Sequence, residues 1–124
     1  MHRIVIIDDE PLVTRVIATF LRAQQFHPEV AFSGADGLRL VNEVSPAMVI
    51  CDMRMPGMGG DEVFQALRTQ SHTQHIPVLI VSAYPKEQCG DVGDAYLQKP
   101  FQLAEMVKVV RQLISGASPT TSTP

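Results

Sequence analysis

Four stretches of this chain end in residues that could do chemistry together. Ile4-Val5-Ile6-Ile7 runs into Asp8-Asp9-Glu10, and Met48-Val49-Ile50-Cys51 runs into Asp52. Ile76-Pro77-Val78-Leu79-Ile80-Val81 ends at Ser82-Ala83, and the shorter Asp94-Ala95-Tyr96-Leu97-Gln98 ends at Lys99-Pro100. Crowded carboxylates repel one another unless something positive joins them. A hard divalent cation with oxygen ligands is the natural partner, and Mg²⁺ (or Mn²⁺) needs only one or two carboxylates plus water and a phosphate group. Lys99 adds a fixed positive charge and Ser82 a hydroxyl donor. The set amounts to a receptor for a tetrahedral dianion beside a carboxylate nucleophile. Phosphoryl transfer to Asp52 needs those parts: an aspartate as covalent acceptor and cations on the oxygens where charge spreads in the transition state.

For these residues to meet, the chain must bring four segment ends to one place. The continuous apolar runs read as strands buried on both faces of a parallel sheet. Between them lie segments with helical spacing. Val13, Val16, Ile17, Phe20 and Leu21 follow Pro11, which suits a first helical turn. Ser33-Gly34-Ala35-Asp36 looks like a capping signature before Leu38, Val41 and Val44. Asp61 opens a third helix with Val63, Phe64 and Leu67 inward, and Leu103, Met106, Val107, Val110, Leu113 and Ile114 mark a last one. Glu29-Val30-Ala31-Phe32, less apolar, is expected as an edge strand. Alternating strands and helices at this spacing imply an α/β fold with right-handed crossovers and helices on both faces. All carboxyl ends then lie on one edge, where open α/β sheets place their ligands. Asp52 is expected as the first residue beyond its strand.

Taken singly, each polar residue has a plainer role: Asp8 or Asp9 as a helix cap, Ser82 as a turn cap, Lys99 as a surface lysine. Those roles do not explain why every strand but the edge one delivers such a residue. A formal net charge of −3 with no basic run argues against direct nucleic-acid binding. No apolar stretch approaches the length of about eighteen residues that a membrane span needs, and no signal peptide is visible, so a cytoplasmic location is expected. Cys51 and Cys89 fit neither a disulfide framework nor a metal site. His72 and His75 are expected as solvated residues near a helix end, and Met53, Met55 and Met58 as gap-fillers or an adaptable surface.

The pattern resembles the receiver domain of two-component response regulators, over residues 3 to 115. Asp8-Asp9 looks like that family's acidic metal-binding pair, and Asp52 within Asp52-Met53-Arg54-Met55-Pro56-Gly57 like its phosphoacceptor and loop. Ser82-Ala83 stands for its switch pair, Lys99-Pro100-Phe101 for its Lys-Pro-Phe, and Tyr96 for its aromatic switch. The resemblance implies a flavodoxin-like, doubly wound sheet of five parallel strands in the order 2-1-3-4-5. It also implies a third protein ligand for Mg²⁺ in the Arg54 carbonyl, a phosphoryl contact from the Ala83 backbone N–H, and a cis Lys99–Pro100 bond. By the same resemblance, Arg54 and Tyr84 stand at positions that tune dephosphorylation in that family. The implied partner is a sensor histidine kinase or histidine phosphotransfer protein, with an output partner or domain left open. Such a domain catalyses its own phosphorylation and dephosphorylation and is not a turnover enzyme.

One stretch departs from the family. Ala83 to Gly93 is too short for a full crossover helix and holds Pro85, Gly90 and Gly93. The fourth helix is therefore expected to be shortened or missing. Residues 1–115 are expected as one domain, and 116–124, rich in Ser, Thr and Pro, as a disordered tail or the start of a linker. Three rival readings differ in what they need. A receiver-like scaffold would bind partners independently of phosphorylation. A phosphatase would need an acid/base beside Asp52, which Arg54 cannot supply because it does not deprotonate. A flavin binder would need a phosphate-cradling loop where the acids stand.

Overall fold

A computed structural model describes residues 1–116; the tail expected over 116–124 falls, from 117 on, outside the described residues. The elements run β1 (Arg3–Ile7), α1 (Pro11–Ala23), β2 (His27–Ala31), α2 (Gly34–Val44), β3 (Met48–Asp52), α3 (Gly60–Arg68), β4 (Val78–Ser82), α4 (Lys86–Cys89), β5 (Ala95–Gln98) and α5 (Leu103–Ile114). The five strands form one sheet in the order β2-β1-β3-β4-β5, and all four neighbouring pairs are parallel. This is the flavodoxin-like, doubly wound order expected.

The unbroken apolar runs are explained by two cores, one on each sheet face. Ile4, Ile6, Met48, Ile50, Leu79 and Val81 point into a core shared with α1 and α5 residues such as Leu21, Met106 and Val110. Their alternates, Val5, Ile7, Val49, Cys51, Val78 and Ile80, point into a second core with Val41 of α2 and Val63 and Leu67 of α3. A strand buried on both faces has no solvent side on which a polar residue would be tolerated. Polarity therefore begins where the strands end.

Several boundaries differ from the sequence-based expectation. Asp52 is the last residue of β3, in register with Val81, because the ladder continues through Met53, whose N–H donates to the Val81 carbonyl at 2.9 Å. β2 starts earlier than expected, at His27, which pairs with Arg3. It ends at Ala31, and Phe32 lies beyond it, exposed. β4 begins at Val78 rather than Ile76, although Ile76 is buried in the second core; Pro77 before it has no N–H to give a ladder. The capping signature at Ser33 holds, with the Asp36 N–H donating to Ser33 Oγ at 3.1 Å.

The fourth helix is a single turn, as the short crossover required. Gly90 follows at φ 77° and Gly93 at φ 85°. A Cβ on Gly93 would stand 2.6 Å from Ile80 Cγ1, so the chain itself lies directly on the sheet where a longer helix would have sat. Asp94 anchors the return: its carboxylate accepts from the Val78 N–H at 2.8 Å and pairs with Arg68 of α3.

Candidate functional site

The carboxyl edge gathers the expected residues. Asp8, one residue past β1, is 1% exposed, Asp52 is 7% exposed and Ser82, last in β4, is 1% exposed. Lys99 follows β5, and its N–H donates to the Ser82 carbonyl at 2.7 Å, fixing where its side chain departs. From there Lys99 Nζ reaches Asp8 Oδ2 at 3.3 Å, Asp52 Oδ1 at 3.6 Å and Glu10 Oε1 at 3.9 Å. The Lys99–Pro100 bond is cis. At the other end of the loop, a Cβ on Gly60 would meet the Asp52 carbonyl at 2.6 Å. Only glycine lets α3 start that close to the acceptor strand.

Carboxylate oxygens of Asp8, Glu10 and Asp52 all lie within 4.8 Å of one another. Three hard oxygen donors in that space suit Mg²⁺ or a similar divalent cation in kind and in charge. Glu10 was missed in the sequence although it stands in the Asp8-Asp9-Glu10 run. The chain folds back there, with the Glu10 N–H donating to Asp8 Oδ1 at 3.0 Å, and the Glu10 side chain makes no cap bond to α1. A third acid directly before a helix-starting proline was the available signal. Asp9 does not belong to that three-oxygen cluster, yet its charge reaches Asp52.

These contacts set the electrostatics. Burial, then the Asp8 carboxylate, push the Asp52 carboxyl from 3.8 up to about 6, against the opposing pull of Lys99. Burial works to lower the Lys99 ammonium, but the Asp52, Asp8 and Glu10 carboxylates outweigh it and hold its pKa above the ordinary value. The lysine therefore stays charged. Burial, reinforced by the Asp52 and Asp8 charges, pushes the Cys51 thiol far up, so it is an inert member of the core.

The remaining expected residues stand around this edge. Ser82 Oγ accepts from the Tyr84 N–H at 3.1 Å. Ala83 and Arg54 lie on exposed loop positions beside the pocket. The Arg54 guanidinium stacks over the Tyr84 ring, 4.3 Å from its centre, so residues of two different loops meet there. Tyr96 is half-buried, and its phenol is held above its ordinary value by burial and by Cys89. His72 Nε2 meets Asn42 Oδ1 at 2.6 Å, both residues exposed.

With that geometry established, comparison with known proteins is direct. The family model of the response regulator receiver domain matches residues 4–111. This chain belongs to that family. It is similar to the DNA-binding dual master transcriptional regulator RpaA of Synechocystis sp., at 35% identity over 92% of this chain and 49% of the relative. It is also similar to the DNA-binding response regulator MtrA of Mycolicibacterium smegmatis, at 33% identity over 89% of this chain and 49% of that one. The receiver chain thus spans about half the length of these curated relatives. Among solved structures, the receiver domain of the Francisella response regulator 1452 superposes with a TM-score of 0.81 at 26% identity, covering 94% of this chain and 98% of that one. The receiver domain of a Pseudomonas aeruginosa sensor histidine kinase, crystallised with magnesium ion coordinated in its active site cleft, shares the fold with a TM-score of 0.82 at 22% identity, over 92% of this chain and 98% of that one. The receiver of two-component signalling is therefore the class of this protein. No helix among the described residues is long and apolar enough to cross a membrane.

Proposed function

We propose that Asp52 accepts a phosphoryl group from a phosphohistidine on a sensor histidine kinase or histidine phosphotransfer protein. In that transfer an Asp52 carboxylate oxygen bonds to phosphorus as the phosphorus–nitrogen bond breaks, and the electron pair returns to the imidazole. The observation that carries the reading is the position of Lys99 Nζ within 3.6 Å of both Asp8 and Asp52 oxygens. A cation fixed there meets the charge that develops on the phosphoryl oxygens without reorganising. Ser82 and the Ala83 N–H supply hydrogen-bond donors at the end of the neighbouring strand β4. Asp8, Asp52 and Glu10, whose carboxylate oxygens stand together, would hold Mg²⁺ (or Mn²⁺), with Asp9 and the Arg54 carbonyl as further oxygens beside them. When bound, the metal supplies charge neutralisation between the acids and the incoming phosphoryl oxygens.

The added charge of about −1.5 to −2 draws Ser82 and Lys99 inward and shifts Tyr96, a change between pre-existing states that makes a surface on the α5 side competent for an output partner or domain. The Arg54–Tyr84 stack sets how readily water reaches the phosphorylated aspartate. The domain works in the cytoplasm, without touching nucleic acid or membrane itself. Intact-protein mass after incubation with acetyl phosphate tests the reading. Wild type should gain one labile phosphoryl group with Mg²⁺ and none without it, and Asp52→Asn should gain none. A folded wild type that gains none from either acetyl phosphate or a phosphorylated histidine phosphotransfer protein would overturn it.

A further inference from the structure

Lys99 reaches Asp52 from the margin of the sheet, on a strand with little to hold it. β5 has four residues, and β4 is its one strand neighbour among the described residues. The crossover before it is a single helical turn closed at Gly90, so on that face the strand lacks a full crossover helix. Its anchor lies at the edge of the sheet opposite the pocket. The Asp94 N–H donates to the Val78 carbonyl at 2.8 Å, and the Val78 N–H donates to Asp94 Oδ2 at 2.8 Å. The first residue of β4 is thereby tied to the residue before β5. Arg68, the last residue of α3, closes the arrangement. One arm of its guanidinium pairs with the same Asp94 oxygen, while Nη1 donates to the Gln74 carbonyl at 3.0 Å and the Ile76 carbonyl at 2.8 Å. Its plane lies over the Phe64 ring, 4.6 Å from the centre. A planar fork that serves three oxygens and stacks on a ring is a task for arginine, not lysine.

We propose that Arg68 and Asp94 are positioning residues for phosphoryl transfer: their ion pair, at the far edge of the sheet, fixes the register in which β5 presents Lys99 to Asp52. This role rests on the phosphoacceptor reading of Asp52. Successive strand residues rise about 3.3 Å and alternate between faces. A slip of one residue would move Lys99 by as much as the distance that now separates its Nζ from Asp8, 3.3 Å, or Asp52, 3.6 Å. It would also turn the side chain to the other face. The residues of β5 resist such a slip weakly. Ala95 and Leu97 lie against one core and Tyr96 against the other, so both faces accept apolar side chains. The ladder runs from Leu79 opposite Ala95 to Ser82 opposite Gln98, and the Lys99 N–H extends it to the Ser82 carbonyl. Asp94 and Arg68 pin its other end with a specific charge and a specific N–H. Arg68 also holds the approach to β4 through the Gln74 and Ile76 carbonyls, so one clamp aligns the strands that carry Ser82 and Lys99. Asp8, Glu10 and Asp52 belong to β3 and the end of β1, outside its reach.

Hydrogen exchange and phosphoryl uptake test the clamp separately. Asp94→Ala removes both contacts of the carboxylate, and Asp94→Asn keeps an oxygen for the Val78 N–H without the charge that Arg68 meets. Each is checked for cooperative melting. In metal-free protein, Asp94→Ala should speed exchange of the Lys99 amide about tenfold more than that of the Met53 amide, whose bond to the Val81 carbonyl lies on the other side of β4. With acetyl phosphate and Mg²⁺, uptake followed by mass should slow about tenfold in Asp94→Ala and about threefold in Asp94→Asn, as expected for a reacting-site group displaced by a fraction of an ångström. The loss must run through Lys99. In a Lys99→Ala background either change should therefore slow the remaining uptake by less than about 1.5-fold, whereas a purely structural role would slow both backgrounds by the same factor. Wild-type uptake in folded Asp94→Ala overturns the proposal, as does equal slowing in both backgrounds or an equal change of exchange at Lys99 and Met53. Should Asp94→Ala not melt cooperatively, Asp94→Asn carries the same comparisons. A wild type that takes up no phosphoryl group sinks the Asp52 reading instead, and exchange at Lys99 still decides whether the clamp holds β5.

Discussion

The two halves of the carboxyl edge are built on different terms. On the β1–β3 side, Asp8 and Asp52 sit at the ends of strands buried on both faces, and their carboxylates are pressed together against Lys99. That half holds a buried charge, and burial first, the Asp8 carboxylate second, raise the Asp52 carboxyl. On the β4–β5 side the crossover is one turn of helix and two positive-φ glycines, and the contacts among Ser82, Cys89 and Tyr96 are uncharged and long. The first half is set by charge and has little freedom in which residues it uses. The second is set by how closely the backbone lies on the sheet, and there the chain departs from a full-length helix without disturbing the chemistry.

Lys99→Ala attacks the charged half at its centre. With the ammonium gone, phosphoryl uptake from acetyl phosphate should slow by about 100-fold, the size of effect seen when one preorganised transition-state partner is removed. A rate within a few-fold of wild type would mean that the metal alone carries the charge. The burial of the Asp52 charge has its own signature. The folded state keeps the Asp52 proton up to about 6, whereas the unfolded chain releases it near 3.8. Between those values the folded state binds more protons, so ionising Asp52 costs stability as pH rises, fully so above the folded value. Asp52→Asn removes that cost. It should be more stable than wild type by about 3 kcal/mol at pH 8 without metal, with the gain gone by about pH 3.5. Urea unfolding at the two pH values checks this, and an equal gain at both would assign it to packing.

Gly93→Ala probes the other half. The positive φ and the approach to Ile80 should together lower stability by about 1–2 kcal/mol, read as a shift of the urea midpoint at unchanged slope. Gly90, also at positive φ but with open space around its Cβ position, separates the two causes: Gly90→Ala should cost less. The smallest effect belongs to the rim between the halves. Arg54→Ala dissolves the stack on Tyr84 and should shorten the lifetime of the phosphorylated protein by about 3-fold, in line with a cation–π contact at an exposed site, as followed by the decay of the mass adduct. An unchanged lifetime would show that the stack does not restrict water.

Much of this was legible in the residues because burial on both faces forces an apolar run, and the end of each run is then conspicuous. Ser82 and Lys99 became a pair only through the parallel order, which the alternation of strands and helices implied. The shortened α4 was legible from chain length and glycines. What the sequence could not show were contacts made by folding back. Glu10 joins Asp8 through a backbone turn, and Cys89 reaches Ser82 and Tyr96 because Gly90 closes the turn behind it. The boundary of β3 also depended on its neighbour, since Asp52 is in the ladder only because Val81 is there to pair with it. The β3 boundary and the Cys89 contacts belong to pairs of segments, whereas the Glu10 turn is local and its signal was the third acid before Pro11.

Pro28 in β2 bears on how the molecule behaves in a crowd. β2 lies at one margin of the sheet, and His27 turns its N–H inward, to the His2 carbonyl at 2.9 Å. Alternation along the strand then turns the next position outward, and that position is a proline with no N–H. The opposite margin, β5, is four residues long and is followed by Lys99 and Pro100. β2 is thus interrupted by proline and carries Glu29, paired to Arg3, while β5 is short and gives way to Lys99 and Pro100. A passing strand would find few unpaired donors on which to build. The sheet should resist self-association by strand addition, leaving its helical and loop surfaces as the places where other proteins can dock.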